Sequence, residues 1–180
     1  MYNSTMDNFI KHIDEKAASK GKGILLLWQI VKFLVVSCMA TIIQLVLVNI
    51  LHSSMKSITT PITGFLSKIF TEQTMGVGNT TWGYILPWFL SNLIANIYGY
   101  IQNKITTFRS DSSWWCMLIY ILLLIGLILF STWLQGLIFN ALVKVDQVFI
   151  IKLAPTIAAM SAGTLQFVIL FPLQKFVLSR

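Results

Sequence analysis

Asn92, Asn96, Gly99 and Asn103 stand at i, i+4, i+7 and i+11, a spacing that places three carboxamides and a glycine gap along one face of a helix. A carboxamide both donates and accepts hydrogen bonds. Such a face can bond neighbouring helices, or it can replace water around a hydroxylated ligand. Ser91 borders the stripe, and Gln44, Asn49 and Gln166 stand in other apolar runs as partners from across a bundle. Lys32 is the other chemically notable residue, because it interrupts the first apolar run well after Ile24. It can snorkel its ammonium to the headgroups, or join Lys104 and Lys175 in holding an anionic group such as a phosphate.

The missing residues narrow the chemistry further. All six acids, Asp7, Asp14, Glu15, Glu72, Asp111 and Asp146, fall outside the apolar runs. A proton-coupled small multidrug exporter needs a carboxylate within the membrane, so that class is disfavoured. His12 and His52, the only histidines, are also expected outside the runs, so no nucleophile and base pair is in view and the chain does not read as an enzyme. Cys38 and Cys116 lie in and at the start of apolar runs, with no disulfide framework and no metal-ligand spacing. Neither a metal nor a cofactor is expected.

The elements that must position these residues are membrane helices. Of 180 residues 56% are hydrophobic and 11% charged, against roughly 25% charged in soluble domains, and mean hydropathy is +0.77. So small a soluble core has no room for this much apolar surface. A spanning helix takes about 20 apolar residues, and four runs qualify, at about residues 24–51, 83–101, 115–137 and 153–171. The expected fold is an all-α integral membrane protein, a four-transmembrane-helix bundle over 24–180 preceded by a polar arm at 1–23. The connection 52–82 is long for a loop without a task, and Phe65, Leu66, Ile69 and Phe70 within it are spaced for a short interfacial helix. Pro172 is expected to kink or stop the last helix.

The charge of +7 is distributed as a topology signal. Lys11, Lys16, Lys20, Lys22, Lys32, Lys104, Arg109, Lys175 and Arg180 fall on one side, and Lys56, Lys68, Lys144 and Lys152 on the other. The positive-inside rule makes the richer side cytoplasmic, with both termini there and the 52–82 loop outside. Anionic headgroups account for the basic balance, and no nucleic-acid motif accompanies it. Gln102-Asn103-Lys104 and Leu173-Gln174-Lys175 end the second and fourth runs at the same face. This echo suggests a parallel repeat of two helical hairpins about an axis along the membrane normal.

Asn103-Lys104-Ile105-Thr106-Thr107-Phe108 resembles the Asn, basic, x, x, Thr, Phe signature that ends the second helix of the GtrA-like family. Lys32-Phe33-Leu34-Val35-Val36 with Ala40-Thr41 looks like that family's opening helix, and Gln174-Lys175-Phe176-Val177 is similar to its closing stretch, so the resemblance spans Gln29 to Leu178. Four positions depart from the pattern. Gln44 stands where many members carry an acid, Ser37-Cys38 replaces a glycine-rich pair, and Leu178 replaces a final aromatic. The resemblance implies a flippase for polyprenyl-phosphate-linked monosaccharides, serving cell-surface polysaccharide glycosylation, with membrane glycosyltransferases as partners. On that reading Lys32, Lys104 and Lys175 engage the phosphate, Asn92, Asn96 and Asn103 hydrogen-bond the sugar, and Gln174 is a further substrate-binding residue. The rival is a non-transporting subunit that anchors or regulates a glycosyltransferase. Four helices are a thin enclosure for a sugar, which favours a homo-oligomer.

Overall fold

Long apolar runs with few breakers leave the backbone one way to satisfy its polar groups in lipid, which is to close them within helices. The computed structural model describes residues 4–145 and 148–178, with only the backbone described for residues 4–7, 152 and 155. Asp146 and Arg180 lie outside the described residues. Among the described residues six α-helices follow in order: α1 (Ser4–Ser19), α2 (Lys22–Met55), α3 (Glu72–Met75), α4 (Trp82–Gln102), α5 (Trp114–Val143) and α6 (Val148–Leu178). Three apolar stretches, Lys22–Met55, Trp114–Val143 and Thr156–Leu178, are long and apolar enough to cross a membrane, and the chain is a multi-pass membrane protein. At 1.5 Å per residue α2 reaches about 50 Å, beyond the ~30 Å of hydrocarbon. Its Leu27, Val35, Ile42, Leu45 and Ile50 are more than half exposed on the protein surface, as lipid-facing side chains are. α4, at 21 residues, is the helix whose apolar character is diluted by Ser91, Asn92 and Asn96.

The helices overrun the apolar runs that announce them. α2 continues to Met55, which brings His52 into its last turn, where the imidazole meets Tyr84 edge-on at 5.4 Å. α6 does not stop at Pro172. It continues to Leu178, because Gln174, Val177 and Leu178 are all buried against the bundle and hold the last turns in place.

α2 packs mainly on α4, and α5 on α6, so the bundle is two hairpins laid side by side. Their shared core contains Phe33, Tyr100, Tyr120, Leu124, Ile128 and Leu170. Phe33 of α2 bridges to α6 through Phe167 and Phe171 at ring distances of 5.3 and 5.2 Å. Tyr100 of α4 stacks on Tyr120 of α5 at 4.4 Å. At the end of the bundle away from α1, Ile62, Ile69, Phe70 and Met75 of the segment between α2 and α4 form a small core with Ile85 of α4. The interfacial helix anticipated there is a single 3-10 turn, Leu66–Lys68. Ile69 and Phe70 turn inward while Phe65 stays 70% exposed, so the apolar residues serve two surfaces instead of one helical face. Gly83 permits the tight join to α2, since a Cβ there would stand 2.3 Å from the Ile58 carbonyl oxygen.

Candidate functional site

α4 does not end as an α-helix. Residues Asn103–Thr107 form a π-helical turn, with the Phe108 N–H donating to the Asn103 carbonyl at 2.9 Å. Such insertions shift the register of a helix face and are frequent at functional sites. Here the turn swings Asn103 and Thr107 inward, where both are nearly inaccessible. The Asn103 Nδ2 donates to Gln174 Oε1 at 2.9 Å, and its Oδ1 accepts from Thr107 Oγ1 at 2.8 Å. Gln174 Nε2 in turn donates to the Tyr120 hydroxyl at 3.0 Å. The two echoing sequence positions, Asn103 and Gln174, are thus bonded to each other across the line between the hairpins.

Above this network lies a cavity of about 300 Å³, at the low end of the roughly 300–1,000 Å³ of small-molecule sites. All four residues of the i, i+4, i+7, i+11 stripe line it. Gln44 from α2, Gln135 from α5 and Gln166 with Gln174 from α6 bring the carboxamides around it to seven. Ser37, Thr41, Ser131 and Thr132 add hydroxyls, and among the described residues no charged side chain lines the space. Asn96 Nδ2 donates to Asn92 Oδ1 at 2.6 Å, and Ser131 Oγ donates to Gln166 Oε1 at 3.2 Å. Phe33, Phe167 and Leu170 add an apolar part to the wall. Gln135 Nε2 donates to the Thr74 carbonyl at 3.0 Å, tying α3 to α5. The wall also includes Thr41 on α2 and Gly163 on α6, both exposed at the protein surface, so the cavity opens sideways between these helices.

Of the residues singled out in sequence, Asn92, Asn96, Asn103 and Gln174 meet in the cavity wall, as do Gln44 and Gln166. Asn49 instead faces outward and bonds the Leu45 carbonyl one turn back. Fully buried Ser91 bonds the Trp88 carbonyl at 2.9 Å. The three lysines are not in the wall. Lys104 donates to the Ser112 carbonyl, and Lys32 reaches Asp14 Oδ1 at 2.7 Å and the Thr106 carbonyl at 2.9 Å. Lys175 is half-buried near the end of α6. Gln135, Ser131 and Thr132 were not singled out, because single polar residues in a strongly apolar run carry no periodic signal. Asp14, in sequence an acid outside the apolar runs, and Arg109, a cation of the topology signal, meet at 2.9 Å.

In comparisons with family models, curated proteins and solved structures, nothing matches this chain. Among the described residues no cluster of three or more His, Cys, Asp or Glu is placed to hold a metal ion.

Proposed function

We propose that the protein translocates a polyprenyl-phosphate-linked monosaccharide across the membrane, crossing the bilayer four times with α4 as the fourth span and both termini in the cytoplasm. The reading is supported above all by the amide-lined cavity, uncharged among the described residues, that opens sideways between α2 and α6. A lipid-linked sugar needs two solvents at once. Its chain stays in hydrocarbon, while its hydroxyls need donors and acceptors in place of water. A charged lining would bind such a head tightly and hold it. Neutral carboxamides offer exchangeable bonds, worth only about 0.6 kcal/mol each between membrane helices, and let the head leave. Outward movement of one negative charge is favoured by an inside-negative potential by about 2.3 kcal/mol per 100 mV, so no coupling ion is required.

The four-span topology agrees with the ends of the bundle. Lys32, Arg109 and α1 gather at one end, and the segment from Lys56 to Thr81 at the other; the cation-rich end is cytoplasmic by the positive-inside rule. The GtrA-like signature lies on the π-turn and the Asn103–Gln174 pair, where the two hairpins touch.

The test is reconstitution of the purified protein into liposomes carrying a labelled polyprenyl-phosphate monosaccharide, scoring its appearance on the opposite leaflet. Acceleration is expected, with a loss of at least tenfold in Asn92→Leu/Asn96→Leu. Folded protein that accelerates nothing would refute transport and leave the anchoring subunit as the better reading.

A further inference from the structure

Two cations of the cytoplasmic end, Lys32 and Arg109, meet one carboxylate. Asp14 of α1 accepts from Lys32 Nζ at 2.7 Å and from Trp28 Nε1 at 2.6 Å, both on Oδ1. On Oδ2 it accepts from Arg109 Nε at 2.9 Å. These donors come from two separate segments, α2 and the turn after the π-helix. Arg109 is held at φ 47, the only positive value among the described non-glycine residues, a conformation that costs about 1–2 kcal/mol. Lys32 is buried, its side chain 9% exposed. Two cations therefore converge on one carboxylate.

Among its described side chains, little else holds α1 to the bundle beyond half-buried Ile10 and Ile13. Ala17 is the only buried apolar side chain described in it, and Phe9 is 64% exposed. A helix with so small an apolar contact is drawn from the low-stability end of a structure and can leave without disturbing the rest. The groove under it, about 360 Å³, is lined by Lys32, Thr107 and Arg109 together with Lys11 and Glu15. Thr107 is bonded to Asn103, which lines the amide cavity, so the seat and the cavity share a wall.

Resting on the transport reading, we infer that Asp14 occupies the seat of the substrate's phosphate, and that α1 is a plug the lipid must displace. A phosphodiester presents one negative charge and two non-bridging oxygens, which matches a carboxylate in charge and in acceptor number. Arg109 and Lys32 supply the charge-assisted donors such a group takes. With the phosphate at Lys32 and Arg109, the buried Thr107–Asn103 pair stands between it and the amides proposed for the sugar. This seat takes the place of one built from Lys104, whose ammonium is committed to Ser112.

The probe is farnesyl methyl phosphate, a sugarless phosphodiester on a short isoprenyl chain, titrated into the full-length protein in neutral detergent. Asp14→Asn is expected to bind it at least tenfold more tightly than the wild type, and adding Lys32→Gln or Arg109→Gln to be enough to abolish the gain. In the unaltered protein, saturating probe is expected to raise amide hydrogen exchange across residues 4–19, a readout that needs no substitution. Equal affinity in Asp14→Asn, or binding with no change in α1 exchange, would overturn the plug. Inorganic phosphate or phosphatidylglycerol binding as well as the probe would overturn the assignment to an isoprenyl lipid. The two readings separate in liposomes. A tighter-binding Asp14→Asn with no movement of lipid-linked sugar would sink transport and keep the seat, whereas transport by a wild type whose Asp14→Asn binds no tighter would do the reverse.

Discussion

Replacing Asn103 with leucine tests whether the contact between the hairpins is a polar lock. The side chain is 1% exposed and makes two hydrogen bonds, to Gln174 at 2.9 Å and from Thr107 at 2.8 Å. Bonds between membrane helices contribute about 0.6 kcal/mol each. The larger cost falls on Gln174, whose Oε1 is left buried without a donor, at about 1–3 kcal/mol. Thr107 can rotate its hydroxyl to a backbone carbonyl and loses less. The expected destabilisation of Asn103→Leu is about 2–4 kcal/mol, read by reversible unfolding in mixed micelles. Removing both partners should cost less than the two losses taken together, because Asn103→Leu/Gln174→Leu leaves neither amide stranded. A coupling of at least about 1 kcal/mol is the expected sign of the pair. If Asn103→Leu costs under about 0.5 kcal/mol, or the two losses simply add, the amides do not act as a unit and the reasoning fails.

Gly83→Ala should destabilise by about 1–3 kcal/mol, the range for overpacking against backbone that cannot yield, since its Cβ would meet the Ile58 and Met55 carbonyl oxygens at 2.3 and 2.6 Å. Gly126→Ala, with nothing within 4 Å of its Cβ, should be neutral or stabilise by up to about 1 kcal/mol through helix propensity; the same unfolding assay ranks the two. Gln135→Leu removes the bond to the Thr74 carbonyl, and limited proteolysis between Lys56 and Thr81 should become faster without loss of the bundle. An unchanged cleavage rate would show that the small core of Ile62, Phe70 and Ile85 holds that segment unaided.

The sequence by itself determined that lipid is the solvent, that the structure is helical, and that Asn92, Asn96, Gly99 and Asn103 share a face. Composition and periodicity are local properties, and in a bilayer the demand for internal hydrogen bonds leaves one secondary structure for such runs. The echo of Asn103-Lys104 in Gln174-Lys175 was also legible, though not that the two amides bond directly. Tertiary structure alone decided where each polar side chain finds its partner. Lys32 and Lys104 look alike beside apolar runs, yet one meets Asp14 from α1 and the other a carbonyl at Ser112. Gln135 and Ser131 look like stray polar residues until α5 is laid beside α6 and α4 and they become cavity wall. Such pairings depend on how helices distant in sequence are packed together, and a one-dimensional pattern holds no record of that packing.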